Sequence, residues 1–158
     1  RLHWLIARQT NIVLKNPELA RRMAVSPYMV MNALIISRII ERIGDHAVRW
    51  AENARRISGS GLDADLLKKM KAASSLALAI FDKSISSYFK GDLKDSHQNI
   101  EQVSRLEALC EEMNDLAMDQ EPEVAVALRY IAESIRRSGE YAGDISETVM
   151  NYLVEEKI

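Results

Sequence analysis

The sequence predicts an all-α protein made of two related helical units, on three observations. Its 158 residues include only six glycines and three prolines, which leaves little material for loops. Apolar residues recur at alternating steps of three and four, the period of a helix buried along one stripe, and no β-branched cluster alternates with period two. The longest such stripe then recurs downstream at a fixed displacement, as a duplicated supersecondary unit does and a solenoid of many shorter copies does not.

That stripe belongs to the stretch from Ser37 to Ile57, with Ile36, Ile40, Ile43, Ala47, Trp50, Ala54 and Ile57 on its predicted inner face. A shift of 95 positions lays them over Ile131, Ile135, Ser138, Ala142, Ile145, Val149 and Tyr152 without a gap. Arg42, Gly44, Ala47 and Glu52 fall on identical residues, Arg137, Gly139, Ala142 and Glu147.

Taken in order, the elements justify themselves locally. Leu2, Leu5, Ile6, Gln9, Ile12 and Val13 are already in helical register, and Arg1 is not an initiator methionine, so a preceding segment is expected. Asn16-Pro17 supplies an N-cap and a first-turn proline for a short helix over Glu18 to Met23. Ser26-Pro27 repeats that signal and opens a long helix to about Ser58, roughly 45 Å at 1.5 Å per residue. Gly59-Ser60-Gly61 breaks the chain, dividing it into a first repeat over 1–59 and a second over 62–158. Asp63 or Asp65 caps the next helix, whose seam carries Leu66, Met70, Ala73, Ala77, Phe81, Ser84 and Tyr88 before Gly91. Asp92 caps the following one, with Ile100, Val103, Leu106, Cys110, Met113 and Leu116 facing inward until Asp119. The short Lys90-Gly91-Asp92 link makes these two antiparallel, and Glu121-Pro122-Glu123 opens a last helix to about Glu156.

On the pole opposite the predicted stripe, Glu41 and Asp45 lie one turn apart among Arg38, Arg49, Glu52 and Arg56. Two readings fit. In one, Asp45 pairs with Arg49 and Glu52 with Arg56, as i,i+4 contacts on a solvated stripe. In the other, two like charges at i,i+4 are relieved by a bound cation.

The run Glu41-Arg42-Ile43-Gly44-Asp45, continued by His46, Ala47, Ala51 and Glu52, resembles the signature segment of the PhoU family of phosphate-uptake regulators. The resemblance implies two copies of a three-helix bundle, PhoU-like or spectrin-like, with metal ions at the acidic motif. Glu41 and Asp45 would then hold a divalent or ferric ion, and hard oxygen ligands suit Mg, Ca, Mn or Fe. The second copy carries Arg136 in place of Glu41 and Glu140 in place of Asp45, which argues against an equal second site; Glu140 and Asp144 offer a weaker, displaced one. Arg1-Leu2 and Leu5 match Arg105-Leu106 and Leu109, so the opening helix is the second of its unit and the first repeat lacks its leading helix here. The family also implies partners, a phosphate-transporter ATPase or sensor-kinase and transcriptional machinery; a cytoplasmic place is expected from the lone cysteine and from the lack of an apolar span or signal-peptide layout. The alternative is a metal-free scaffold whose charged stripe docks a partner helix or makes a homodimer.

Several classes are disfavoured. A net charge of −2 gives no basic face for nucleic acid. No apolar run approaches the ~20 residues of a membrane span. The lone Cys110, inside a helical apolar pattern, reads as a buried free thiol. The Glu-x-x-His motif of di-iron bundles is absent, as are phosphate loops, zinc-protease motifs and nucleophile elbows, so no enzyme is expected and no cofactor beyond a metal. His46 reads as a half-buried histidine touching a neighbouring helix. Paired mid-helix glycines, Gly44 and Gly139, point to a close approach to the backbone, either by a packed helix at both sites or by an ion or partner group beside Asp45.

Overall fold

The structure, a computed structural model, describes residues 2–155. Six helices form among them: α1 (Leu2–Lys15), α2 (Pro17–Met23), α3 (Pro27–Arg56), α4 (Ala64–Lys90), α5 (Leu93–Ala117) and α6 (Pro122–Glu155). The expected end of the last helix at Glu156 and the match of Arg1 to Arg105 lie outside the described residues.

The capping chemistry fixes the boundaries. The Asn16 side chain accepts the Leu19 N–H at 3.1 Å and Ser26 Oγ accepts that of Met29 at 3.1 Å, each ahead of a proline that needs no donor partner. Asp63, of the two candidates, is the cap of α4 and accepts the Asp65 N–H at 2.9 Å. Gly91 closes α4 at φ 68, a left-handed conformation that lets its N–H reach the Ser87 carbonyl at 2.8 Å. Asp92 then starts α5 by accepting the Asp95 N–H at 2.9 Å, so α5 folds straight back along α4.

Helices α4, α5 and α6 pack pairwise into a three-helix bundle around Leu66, Ile80, Leu106, Met113, Leu128 and Ile131. Helix α3 lies antiparallel along α6: Tyr28 stacks on Tyr152 at one end, with ring centroids 5.8 Å apart, and Ile57 sits beside Val124 and Ala127 at the other. A second core, Ile36, Ile39, Ile145 and Val149, seals this crossing. Helix α1 covers only the first part of α3, reaching Ser37 through His3 Nδ1 at 3.0 Å from its Oγ.

This asymmetry corrects the predicted inner face of α3. Ile36, Ile43, Trp50, Ala54 and Ile57 are buried or half-buried, but Ile40 is 39% exposed and Ala47 is exposed. The inward line instead passes through Ile39, His46 and Asn53. Their counterparts on α6 show why: Ile135 is 4% exposed and Ala142 fully buried, because α6 is enclosed by α3, α4 and α5. The glycines split the same way. A Cβ on Gly139 would lie 2.0 Å from Leu106 Cδ2, whereas one on Gly44 meets nothing within 4 Å, so close packing explains the first glycine and not the second.

Candidate functional site on the long central helix

Glu41 and Asp45 both lie exposed on α3, one turn apart, as their spacing requires. Among the described residues neither forms an ion pair, and the predicted pairings of Asp45 with Arg49 and Glu52 with Arg56 do not form; Arg56 instead lies 3.5 Å from Asn53 Oδ1. Two carboxylates thus face solvent without a counter-ion on a helix rich in arginine.

The matching surface of α6 is wired differently. Glu133 accepts from Arg136 at 2.7 Å and from Arg137 at 2.9 Å, and Glu140 accepts from Arg136 and, at 3.0 Å, from Arg137. Burial on its own would raise the Glu133 pKa, but the hydrogen bonds from Arg136 and Arg137 outweigh it and hold the carboxyl below its ordinary value. Glu140 therefore spends both oxygens on guanidinium groups. Asp144 is turned toward a cleft of about 360 Å³ that it shares with Glu147, Arg38 and Arg42. Burial raises its pKa first, Glu147 and Glu140 add to that, and Arg42 opposes them. The structure does not bring Glu140 and Asp144 together as a matched pair of free carboxylates.

The basic residues of α3 divide their work between the two faces. Arg42 lies over the Tyr141 ring at 5.7 Å, and His46 touches the same ring with centroids 5.7 Å apart. Burial and the nearby Arg49 lower the His46 pKa, so the imidazole is neutral near pH 7. The Glu133–Arg136–Arg137–Glu140 network was not anticipated, although its i,i+3 and i,i+4 spacing was present in the sequence. The contacts of Tyr141 carried no such signal, because they cross between helices.

A fit to a metal ion can be judged from these donors. Glu41 and Asp45 offer up to four oxygens on one open surface, against the six or more that a hard cation collects. Among the described residues no group of three or more His, Cys, Asp or Glu side chains converges to hold an ion. The pair can supply one side of a coordination shell, leaving the remainder to water, phosphate or another surface.

A family model described as PhoU domain matches residues 1–54 and 70–149. The gap between the two segments spans the end of α3, the Gly59–Gly61 break and the first turns of α4. No curated protein and no solved structure matches the chain significantly. With its all-helical bundle and a match over most of its length, the chain belongs to the PhoU domain family, a family of phosphate-homeostasis regulators.

Proposed function

We propose that this chain is a non-enzymatic adaptor in the control of phosphate uptake, and that Glu41 and Asp45 form its cation contact. The observation that carries the reading is the contrast between the two long helices: Glu140 of α6, at the position matching Asp45, is committed to Arg136 and Arg137, while Glu41 and Asp45 of α3 stay unpaired and exposed. An acidic pair that forms no ion pair with the arginines of its own helix is suited to a divalent or ferric ion, of the class Mg, Ca, Mn or Fe, with phosphate or water filling the shell. The partners are of the kind the family implies, a phosphate-transporter ATPase or a sensor kinase and its transcriptional machinery, met in the cytoplasm. No single helix among the described residues is long and apolar enough to cross a membrane.

Calorimetric titration of Mn²⁺ into the wild type and into Glu41→Gln/Asp45→Asn tests the cation contact. Saturable binding by the wild type that the double variant loses is the expected result; equal heats from both would remove the site.

A second reading has its own observation. Helix α1 exposes Leu2, Trp4, Leu5 and Ile12, and α3 exposes Ile40 and Val48, and exposed apolar side chains that share a surface are what an interaction area is made of. A metal-free scaffold that buries this area in a homodimer or against a partner helix accounts for it. Sedimentation of the purified chain separates the readings: a dimer in metal-free buffer favours the scaffold.

A further inference from the structure

We propose that the charged cleft between α3 and α6 binds a small zwitterion, an oxyanion and an ammonium on one short chain, of the class of the free amino acids. The cleft measures about 360 Å³ and is walled by Arg38 and Arg42 of α3 on one side and by Asp144 and Glu147 of α6 on the other. All four charged residues are exposed, and the buried Ile39 also belongs to the lining. Its volume falls at the lower end of small-molecule sites. Neither Glu41 nor Asp45 lines this cleft, so it stands apart from the cation contact of α3.

No group of the protein answers these charges. Among the described residues none of the four forms an ion pair, either across the cleft or along its own helix. Arg42 lies over the Tyr141 ring at 5.7 Å, a contact that engages its charge and none of its five N–H donors. Thr148, also in the lining, donates its hydroxyl to the Asp144 backbone carbonyl at 2.8 Å rather than to either carboxylate.

The repeat shows how the two walls came to carry opposite signs. At the 95-residue shift Arg42 corresponds to Arg137 and Arg38 to Glu133, and on α6 that glutamate accepts from Arg137 at 2.9 Å. With arginine in its place on α3, two guanidinium groups stand one turn apart and Arg42 has lost that partner. Across the cleft Asp144 corresponds to Arg49, a second reversal, while Glu147 corresponds to Glu52 and keeps its sign. Bases are thereby gathered on one wall and acids on the other. Like charges three or four residues apart destabilise a helix slightly, and both walls carry such a pair. Asp144 registers it: burial raises its pKa first, and Glu147 and Glu140 add to that.

These signs select the ligand. A lone cation attracted to the carboxylates meets the arginines of the facing wall, and a lone anion meets the reverse. A molecule with one charge of each sign satisfies both, its oxyanion accepting from guanidinium groups and its ammonium donating to carboxylates.

NMR titration of the full chain with glycine and with 4-aminobutyrate, two zwitterions of different charge separation, tests the site, with butyrate and butylamine as single-charge controls. At least one zwitterion is expected to bind saturably, to shift the Thr148 and Asn151 resonances, and to bind roughly tenfold more tightly than either control, which lacks one set of charge-assisted hydrogen bonds. Arg38→Glu, which places there the acid of the second repeat, is expected to melt no lower than the wild type and to lose zwitterion binding. Asp144→Asn is expected to weaken zwitterion binding and to leave butyrate binding no weaker. Should Arg38→Glu fail to fold, Asp144→Asn carries the same readout. No saturable binding of either zwitterion, a control that binds as tightly, or undiminished zwitterion binding by a folded variant would each overturn the proposal.

Discussion

Gly44 and Gly139 stand at equivalent places in the two long helices, and the sequence offers no means of distinguishing them. Their surroundings do: the Leu106 side chain occupies the space of a Cβ at Gly139, and nothing occupies it at Gly44. Gly139→Ala is therefore expected to lower stability by about 1–3 kcal/mol through overpacking. Gly44→Ala should raise it by about 0.5–1 kcal/mol by removing a mid-helix glycine. Urea melts of the two variants check both signs, and a matched loss would restore close packing at both sites. Cys110 was legible as a buried thiol because it sits on a helical apolar stripe, and burial indeed pushes its pKa up to about 12. Its thiol should resist iodoacetamide at pH 8 until the protein is unfolded, and labelling at the rate of a free cysteine would contradict the burial. Because the folded pKa exceeds the ordinary 9.0, the associated stability is complete below pH 9 and is lost as pH rises toward about 12.

At the level of the helix, boundaries were the most readable feature and neighbours the least. Asn16, Ser26, Asp63 and Asp92 all cap helices, because a side-chain oxygen ahead of free N–H groups acts within three residues and needs no tertiary context. The inner stripe of α3 was read one residue off at Ile40 and Ala47. A three-four period says that a helix has a buried face, but the width and direction of that face depend on which helices lie beside it. Helix α6 has three such neighbours, while the α1 contact with α3 ends near Ser37. Equivalent truncations should register the difference. Ile135→Ala is expected to cost about 2–5 kcal/mol and Ile40→Ala under about 1 kcal/mol, measured by denaturant melts. Equal losses would show that the α3 face is covered in solution. The same limit explains why Glu140 and Asp144 looked like a displaced pair: their spacing is local, whereas the two arginines that hold Glu140 and the cleft that receives Asp144 are set by rotamers and by α3.

For the molecule as a whole, α3 is the element on which everything converges. One edge meets α6 through Tyr141 and the Arg42 side of the charged cleft, one flank opens on an apolar cavity beside α4, and the outward surface carries Glu41 and Asp45. The family was legible from a few residues of this helix because a regulator's surface motif is compact in sequence. Its partner was not, because nothing in one chain records the surface it meets. The most direct test of the adaptor function is radiolabelled phosphate uptake in phosphate-rich medium by cells carrying the wild type, Glu41→Gln/Asp45→Asn, or no copy of the gene. The account predicts restrained uptake with the wild type alone, and a folded double variant that behaves as the deletion. Uptake indistinguishable among the three would contradict it.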